Sequence, residues 1–493
     1  SGRDNRFISR GGKFQMNEDW LDHLQGTHKK YQSWWEGIFK TNKFDQRIIK
    51  GRLEELKTTR AEGNVDNLLY YFSEGVHGNM ASMGAPELYD EGNDEDKELV
   101  GQYIQELVEG LQQIADLPDD VLGLQDKIDF FSRTSQAHGK SALMLSGAGS
   151  LAPFHLGVCS SLFSQNLLPK IISGSSAGAI IAAIFCSYSD QELAELLEPS
   201  KMEQMFTAVN DSYSKTQSML DADDVFSIID AWIPDITFAE AFKRTGRYLS
   251  ISVAPAELHQ QSRTLNSITT PNVLLRETIQ ASCAIPGIMK PVTLAAKNPE
   301  GNKVPYVKSR SWIDGSVTDD LPANRLRRIF GCNFFITSQT NPLVLWSINS
   351  PRSTSAAGDF YDFWQTTCKE WVKTVYPHTQ HYVQNLYPLN VMTRMWYSMF
   401  TQDYTADVNI LPKQKLVEPT SILEKISPEK AMELVVEGER QTKPSIERIR
   451  NCTKLGAKLD SILNNLAKTN SSDLTVKNSD AQKSNLKKHK AKA

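Results

Sequence analysis

The chain has 493 residues, 40% of them hydrophobic and 23% charged, and its formal net charge is −4. That balance describes a globular protein of two or three structural regions and gives no basis for general nucleic-acid binding. No apolar run reaches the length of about 20 residues that crosses a bilayer, so any lipid would be met from the aqueous side.

The six cysteines are scattered and form no C-x-x-C pair, from which a reduced intracellular setting without metal centres is expected. The opening stretch, residues 1–14, is polar and lacks the apolar core of a secretory signal.

Residues 15–135 read as mostly helical. Leu99, Val100, Tyr103, Ile104, Leu107, Val108, Leu111 and Ile114 recur at helical spacing, which predicts one amphipathic helix. Asp94, Glu95 and Asp96 stand at its start, where carboxylates suit the helix dipole, and Pro118 lies beyond its end. The acidic stretch over 87–96 lacks the spacing of an EF-hand calcium loop and reads as solvated.

Between 139 and 340, strand-like and helix-like segments alternate, as a layered α/β core requires. Strands are expected over 142–145, 170–172, 248–253, 311–313 and 333–338. The polar helical stretch over 187–226 carries Met202, Met205, Phe206 and Met219, which suit ordinary packing and a cap over a lipid site equally well. Residues 360–404 are rich in aromatic side chains, among them Trp364, Trp371, Trp396 and Phe400. Trp and Tyr gather at membrane interfaces because their rings are apolar with a polar tip, so this region reads either as a helix pair packed on the core or as a lipid-docking surface. Beyond residue 466 apolar residues are few and lysines accumulate, which predicts a disordered basic tail.

Three motifs fall inside the α/β region. Gly174-Ser175-Ser176-Ala177-Gly178 joins a strand-like run to the helical run over 179–185. A Gly-x-Ser-x-Gly between strand and helix is a nucleophile elbow, where small Gly174 and Gly178 permit a strained turn that pushes Ser176 Oγ clear of the backbone. The helix N-terminus behind it favours developing negative charge. Upstream, Ser146-Gly147-Ala148-Gly149-Ser150 follows an apolar run and precedes a helix, and such a loop can aim several N–H groups at one point, as an oxyanion hole must. Downstream, Asp314-Gly315 closes the run Trp312-Ile313. The glycine loop also fits the dinucleotide fingerprint, but that needs an acidic residue about twenty positions on, and none occurs between Gly147 and Asp190.

Glycine loop, Gly-x-Ser-x-Gly and Asp-Gly, in that order, resemble the patatin-like phospholipase family. The stretch over 236–291 is similar too, in Thr245-Gly246-Arg247, Thr270-Pro271-Asn272-Val273 and Ala281-Ser282-Cys283-Ala284-Ile285-Pro286-Gly287. Trp34-Trp35 and the runs over 76–80 and 83–89 resemble the fungal and plant triacylglycerol lipases of that family, which carry a helical region ahead of the core. The resemblance implies a three-layer α/β/α core with a central, mostly parallel sheet over 139–340. A helical N-terminal domain over 1–138 would precede it, and a helical, aromatic-rich C-terminal region over 341–465 and the tail over 466–493 would follow.

It also implies a Ser-Asp dyad, in which Ser176 is the nucleophile and Asp314 takes its proton and returns it to the departing alkoxide. The N–H groups of Gly147, Ala148 and Gly149 would form the oxyanion hole, and no cofactor or metal is implied. Many patatins continue the glycine loop into an Arg-Gly pair, whereas this chain reads Ser150-Leu151-Ala152-Pro153, which tilts the expected substrate from phospholipid toward neutral lipid. The implied function is a serine lipid acyl-hydrolase, a triacylglycerol lipase working through an acyl-enzyme in peripheral contact with a lipid droplet or membrane. The alternatives are a phospholipase or lysophospholipase with the same dyad, and a catalytically idle lipid-surface scaffold. A triad in the order Ser176, Asp314, then His378 or His381 stays open as well, although nothing around those histidines marks a catalytic loop. His155, after the glycine loop, reads as a structural support.

A docking role for the aromatic region makes a definite prediction. Replacing Trp396 and Phe400 with Ser weakens flotation with a triacylglycerol emulsion several-fold and leaves hydrolysis of a soluble ester unchanged, whereas a packed helix pair would lose both.

Overall fold

The computed structural model describes residues 44–340, 406–413 and 423–490, apart from short breaks at 75, 77–78, 91, 214–218, 258–261, 287 and 316–319, with side chains described as far as 469. Trp34-Trp35, the aromatic region over 360–404 and both His378 and His381 lie outside the described residues.

The N-terminal helices are α1 (Gln46–Glu62), α2 (Val65–Ser73), α3 (Pro86–Asp90), α4 (Asp94–Ala115) and α5 (Leu124–His138). The amphipathic helix read from residue spacing is α4, which buries Leu99, Val100, Tyr103, Ile104, Leu107, Leu111 and Ile114. Asn93 caps it by accepting the Asp96 N–H at 2.7 Å, satisfying one of the unpaired donors of the first turn. That face packs with Leu53 and Leu56 of α1 and Phe130 and Phe131 of α5 into one apolar cluster.

The α/β part opens with β1 (Lys140–Leu145), α6 (Ala152–Ser164), β2 (Ile171–Gly174) and α7 (Ala177–Ser187). Four helices follow, α8 (Asp190–Leu196), α9 (Pro199–Ser212), α10 (Ala222–Trp232) and α11 (Phe238–Thr245). Then come β3 (Tyr248–Pro255), β4 (Arg263–Asn266), α12 (Leu275–Cys283), the ribbon β5 (Ala295–Lys297) and β6 (Lys303–Pro305), and β7 (Trp312–Asp314). The described chain closes with α13 (Ala323–Phe330), β8 (Cys332–Ser338), β9 (Val408–Ile410), α14 (Pro428–Thr442) and α15 (Ile446–Lys490). A strand stands at each of the five expected places.

The main sheet has the order β4-β3-β2-β1-β8-β9, with β7 also paired to β3. The run from β3 to β9 is parallel, and β4 and β7 are antiparallel to β3. The chain moves from β1 to β2 and β3 on one side and returns to β8 on the other. Loops at the carboxyl ends of β1 and β2 therefore open onto the crevice where sheets of this type bind ligands. Along β1, Leu143 and Leu145 pack with α6 and α7 on one face, while Ala142 and Met144 meet Leu326 and Phe330 of α13 on the other. Burial on both faces is why the strand reads as an unbroken apolar run.

The core does not stop at 340, because β9 extends the sheet beside β8 and α14 lies across α6. Helix α15 runs on to Lys490, into the stretch expected as a basic tail. Leu455, Leu459 and Ile462 anchor the first part of α15 in the N-terminal cluster, and a helix nucleated there extends without a second nucleation cost. Composition alone does not register that anchorage.

Helices α6 and α14 cross at glycines. A Cβ on Gly157 would lie 1.9 Å from the Val435 carbonyl oxygen, and one on Gly438 would lie 2.2 Å from that of Phe154. The two backbones touch, an approach that only glycine allows. Gly438→Ala is expected to destabilise the protein by about 1–3 kcal/mol through overpacking. Gly101→Ala, where a new Cβ meets nothing within 4 Å, should be neutral or stabilising by up to about 1 kcal/mol; paired thermal melts check both.

Candidate active site

Between β2 and α7, Ser176 sits at the helix N-cap with φ 51° and ψ −130°. A backbone in this region costs an L-residue about 1–3 kcal/mol, so the surroundings must hold it there. Ser175 donates its N–H to the Leu145 carbonyl at 3.2 Å, and Gly178 donates to Ser175 at 2.9 Å. The N–H of Ser176 itself donates to Ser282 Oγ at 2.9 Å. A Cβ on Gly178 would stand 2.3 Å from the Ser146 carbonyl oxygen, and one on Gly174 2.5 Å from that of Gly178. The motif glycines are thus demanded by backbone contact on both sides of the serine.

Asp314 ends β7 opposite Val253 of β3 and is buried. A Cβ on the following Gly315 would lie 2.1 Å from the Ser252 carbonyl oxygen, so the Asp-Gly pair reflects a close approach to β3. The last turn of α12 reaches both residues. Ser282 Oγ, besides accepting from Ser176, donates to the Ser252 carbonyl at 2.8 Å, and the Ala284 carbonyl accepts the Asp314 N–H at 3.0 Å. Between them the Cys283 thiol touches the Ser176 side chain and feels the Asp314 charge. Burial and that charge hold the thiol well above its ordinary pKa, with the Ser176 contact pulling the other way. Cys283 is a neutral thiol with Ser176 and Asp314 as shared neighbours. Sequence reading quoted Ser282 and Cys283 without giving them a task; their signal is a pair of small polar residues at the end of an amphipathic helix.

The glycine loop follows β1. The Gly147 N–H donates to Asp320 Oδ1 at 2.8 Å, while the Ser146 carbonyl accepts from His155 Nε2 at 3.0 Å. A carbonyl can only accept, so Nε2 carries the proton and Nδ1 accepts from Ser338 Oγ at 2.7 Å. Burial pushes the His155 pKa down to about 4, which keeps the ring neutral and fits a support. Of the three N–H groups expected to bind an oxyanion, that of Gly147 is therefore already engaged. Those of Ala148 and Gly149 meet no acceptor among the described residues. Gly149, with φ 52°, begins the short 3-10 turn Gly149–Leu151 beside Ser176. Asp320 escaped the sequence reading because nothing in its neighbourhood, Asp319-Asp320-Leu321-Pro322, distinguishes it from a solvated pair.

Ser176 opens into a cleft walled by Ile180, Ile181, Phe206, Trp232, Ile426 and others. Glu424 is the one charged residue on that wall among the described residues. Of the side chains considered as a cap, Phe206 lines the cleft, Met202 packs in the core and Met219 is exposed. No group of His, Cys, Asp and Glu among the described residues could hold a metal ion.

A family model described as patatin-like phospholipase matches residues 143–327, and one for a domain of unknown function, DUF3336, matches residues 15–136. The chain is 30% identical to triacylglycerol lipase ptl3 of Schizosaccharomyces pombe, across 87% of this chain and 90% of that one. It is 29% identical to triacylglycerol lipase SDP1L of Arabidopsis thaliana, across 82% of this chain and 52% of the relative. Triacylglycerol lipase 4 of Saccharomyces cerevisiae is 29% identical across 87% of this chain and 49% of its own length. The chain thus spans about half the length of these last two relatives.

The buried imidazole carries a pH dependence whose sign is fixed. A histidine whose folded pKa lies near 4, against 6.5 in the unfolded chain, stabilises the fold above pH 6.5 and loses that contribution as pH falls toward 4. The loss amounts to about 3 kcal/mol at most. Thermal melts from pH 7 to pH 4 should fall more steeply for the wild type than for His155→Gln, whose amide keeps a donor toward Ser146; equal slopes would remove His155 as the cause.

Proposed function

The chain belongs to the patatin-like phospholipase family, and from that premise we propose that it is a serine lipid acyl-hydrolase acting on triacylglycerol. The observation that carries this reading is a strained serine at a helix N-terminus facing an apolar cleft whose wall bears a carboxylate and no cation among the described residues.

The chemistry follows from the atoms present. Asp314 takes the Ser176 Oγ proton as the oxygen attacks the ester carbonyl, and the N–H groups of Ala148 and Gly149 receive the charge that develops on the carbonyl oxygen. Each such donor lowers the barrier by about 3–4 kcal/mol. Collapse of the tetrahedral intermediate breaks the ester C–O bond, and the proton on Asp314 passes to the diacylglycerol alkoxide. Water then attacks the acyl-enzyme, gives a proton to Asp314, and the serine leaves with that proton as the fatty acid departs. The apolar cleft is suited to the acyl chain throughout.

The choice of neutral lipid rests on charge. A phosphodiester near Ser176 would meet Glu424 on the cleft wall, and neighbouring Lys425 is held by buried Asp224 at 2.7 Å. Peripheral contact with a lipid droplet or membrane surface belongs to the same reading. No helix among the described residues is long and apolar enough to cross a membrane. Exposed Met219 and Ile288 adjoin cleft-lining Leu220 and Met289, an apolar rim that suits a lipid surface.

Fatty-acid release from emulsified triacylglycerol and from phosphatidylcholine vesicles tests this. Wild type should release mainly from triacylglycerol, and Ser176→Ala and Asp314→Asn should each lower the rate by roughly 10³-fold or more. Release mainly from phosphatidylcholine would move the assignment to a phospholipase, and no Ser176-dependent release from either would leave an unknown ester substrate or an idle scaffold.

A further inference from the structure

Asp320 takes no part in the steps above, yet its side chain is buried to 1% exposure and accepts the Gly147 N–H at 2.8 Å. That N–H and the Ser146 carbonyl belong to one peptide unit. The carbonyl end is gripped by His155 Nε2 at 3.0 Å, so the plane is clamped from both sides: by α6 at its oxygen and by the segment after β7 at its nitrogen. Ser146 is pinned further, with its N–H on the Ser338 carbonyl at 3.1 Å and its Oγ accepting from the Thr340 N–H at 2.9 Å. A peptide unit is planar, and fixing its two ends fixes the direction in which the chain leaves it. The next two N–H groups, those of Ala148 and Gly149, are the ones left to meet a substrate oxygen.

We propose that Asp320 is a positioning residue for the oxyanion hole, which takes the Gly147 N–H and thereby sets the tilt at which the Ala148 and Gly149 N–H groups converge beside Ser176. The inference rests on the reading of Ser176 as nucleophile. It assigns two tasks to one short stretch of chain, since the segment that carries the proton acceptor Asp314 goes on to align the donors at the other side of the reacting carbon. The role needs a hydrogen-bond acceptor and not a charge. A charge there would oppose the oxyanion, so an amide oxygen should serve as well as a carboxylate.

The test compares wild type, Asp320→Ala and Asp320→Asn on a soluble short-chain p-nitrophenyl ester. Affinities are measured for an alkyl trifluoromethyl ketone, which forms an oxyanionic adduct, and for a free fatty acid, which does not. Asp320→Ala should lower kcat roughly 10- to 100-fold, with KM within about 2-fold, weaken the ketone by a like factor and leave fatty-acid affinity unchanged. Asp320→Asn should keep kcat within about 3-fold of wild type. An unchanged kcat in Asp320→Ala overturns the proposal, as does a fatty-acid affinity that falls together with kcat. Should the Ala variant fail to fold, Asp320→Asn decides alone: a loss of 10-fold or more overturns the proposal, and wild-type kcat with wild-type ketone affinity supports it. A Ser176→Ala control that still cleaves the ester would instead sink the reading of Ser176, and the proposal with it.

Discussion

Two buried backbone donors, the N–H groups of Ser176 and Asp314, find their acceptors in the same turn of chain, at Ser282 Oγ and the Ala284 carbonyl. Buried donors must be paired, and here the pairing also fixes geometry. Ser176 cannot relax from its positive φ without giving up Ser282, and Asp314 cannot slide along β3 without giving up Ala284. Ser282 in turn donates to Ser252 on β3, the strand against which β7 is registered. Ser176 and Asp314 are therefore related through three consecutive residues and one strand, with no flexible loop in the path.

What could be read beforehand was local in sequence. The elbow announces itself because strand, Gly-x-Ser-x-Gly and helix are contiguous, and α4 because its apolar face repeats over several turns. The five strands are apolar runs bounded by turn residues. What escaped is pairwise and distant. Nothing near Asp320 says that its oxygen will meet Gly147, and nothing near Gly315 says that a strand carbonyl will lie where its Cβ would be. The brief run Val408–Ile410 is too short to signal a strand; only the open edge of β8 makes it one.

The same distinction separates the regions of the chain. Helix α14 belongs to the layered core by its contact with α6, and α15 belongs to the N-terminal cluster through Leu455, Leu459 and Ile462. The 3-10 turn Lys443–Ser445 is all that lies between them. The N-terminal helices and the α/β layers are thus joined along two routes, once through the link from α5 into β1 and again through this second passage.

The glycine crossing of α6 and α14 sets an order of events during synthesis. Helix α6 follows directly from the glycine loop, and its partner α14 comes only after β8 and β9. A ribosome-bound protein already holds Ser176, Asp314 and the glycine loop while α14, which packs across the helix after the loop, is still untranslated. A nascent chain that stops short of α14 has Ser176, Asp314 and the loop without the backbone contact of Gly157 on Val435 that fixes α6.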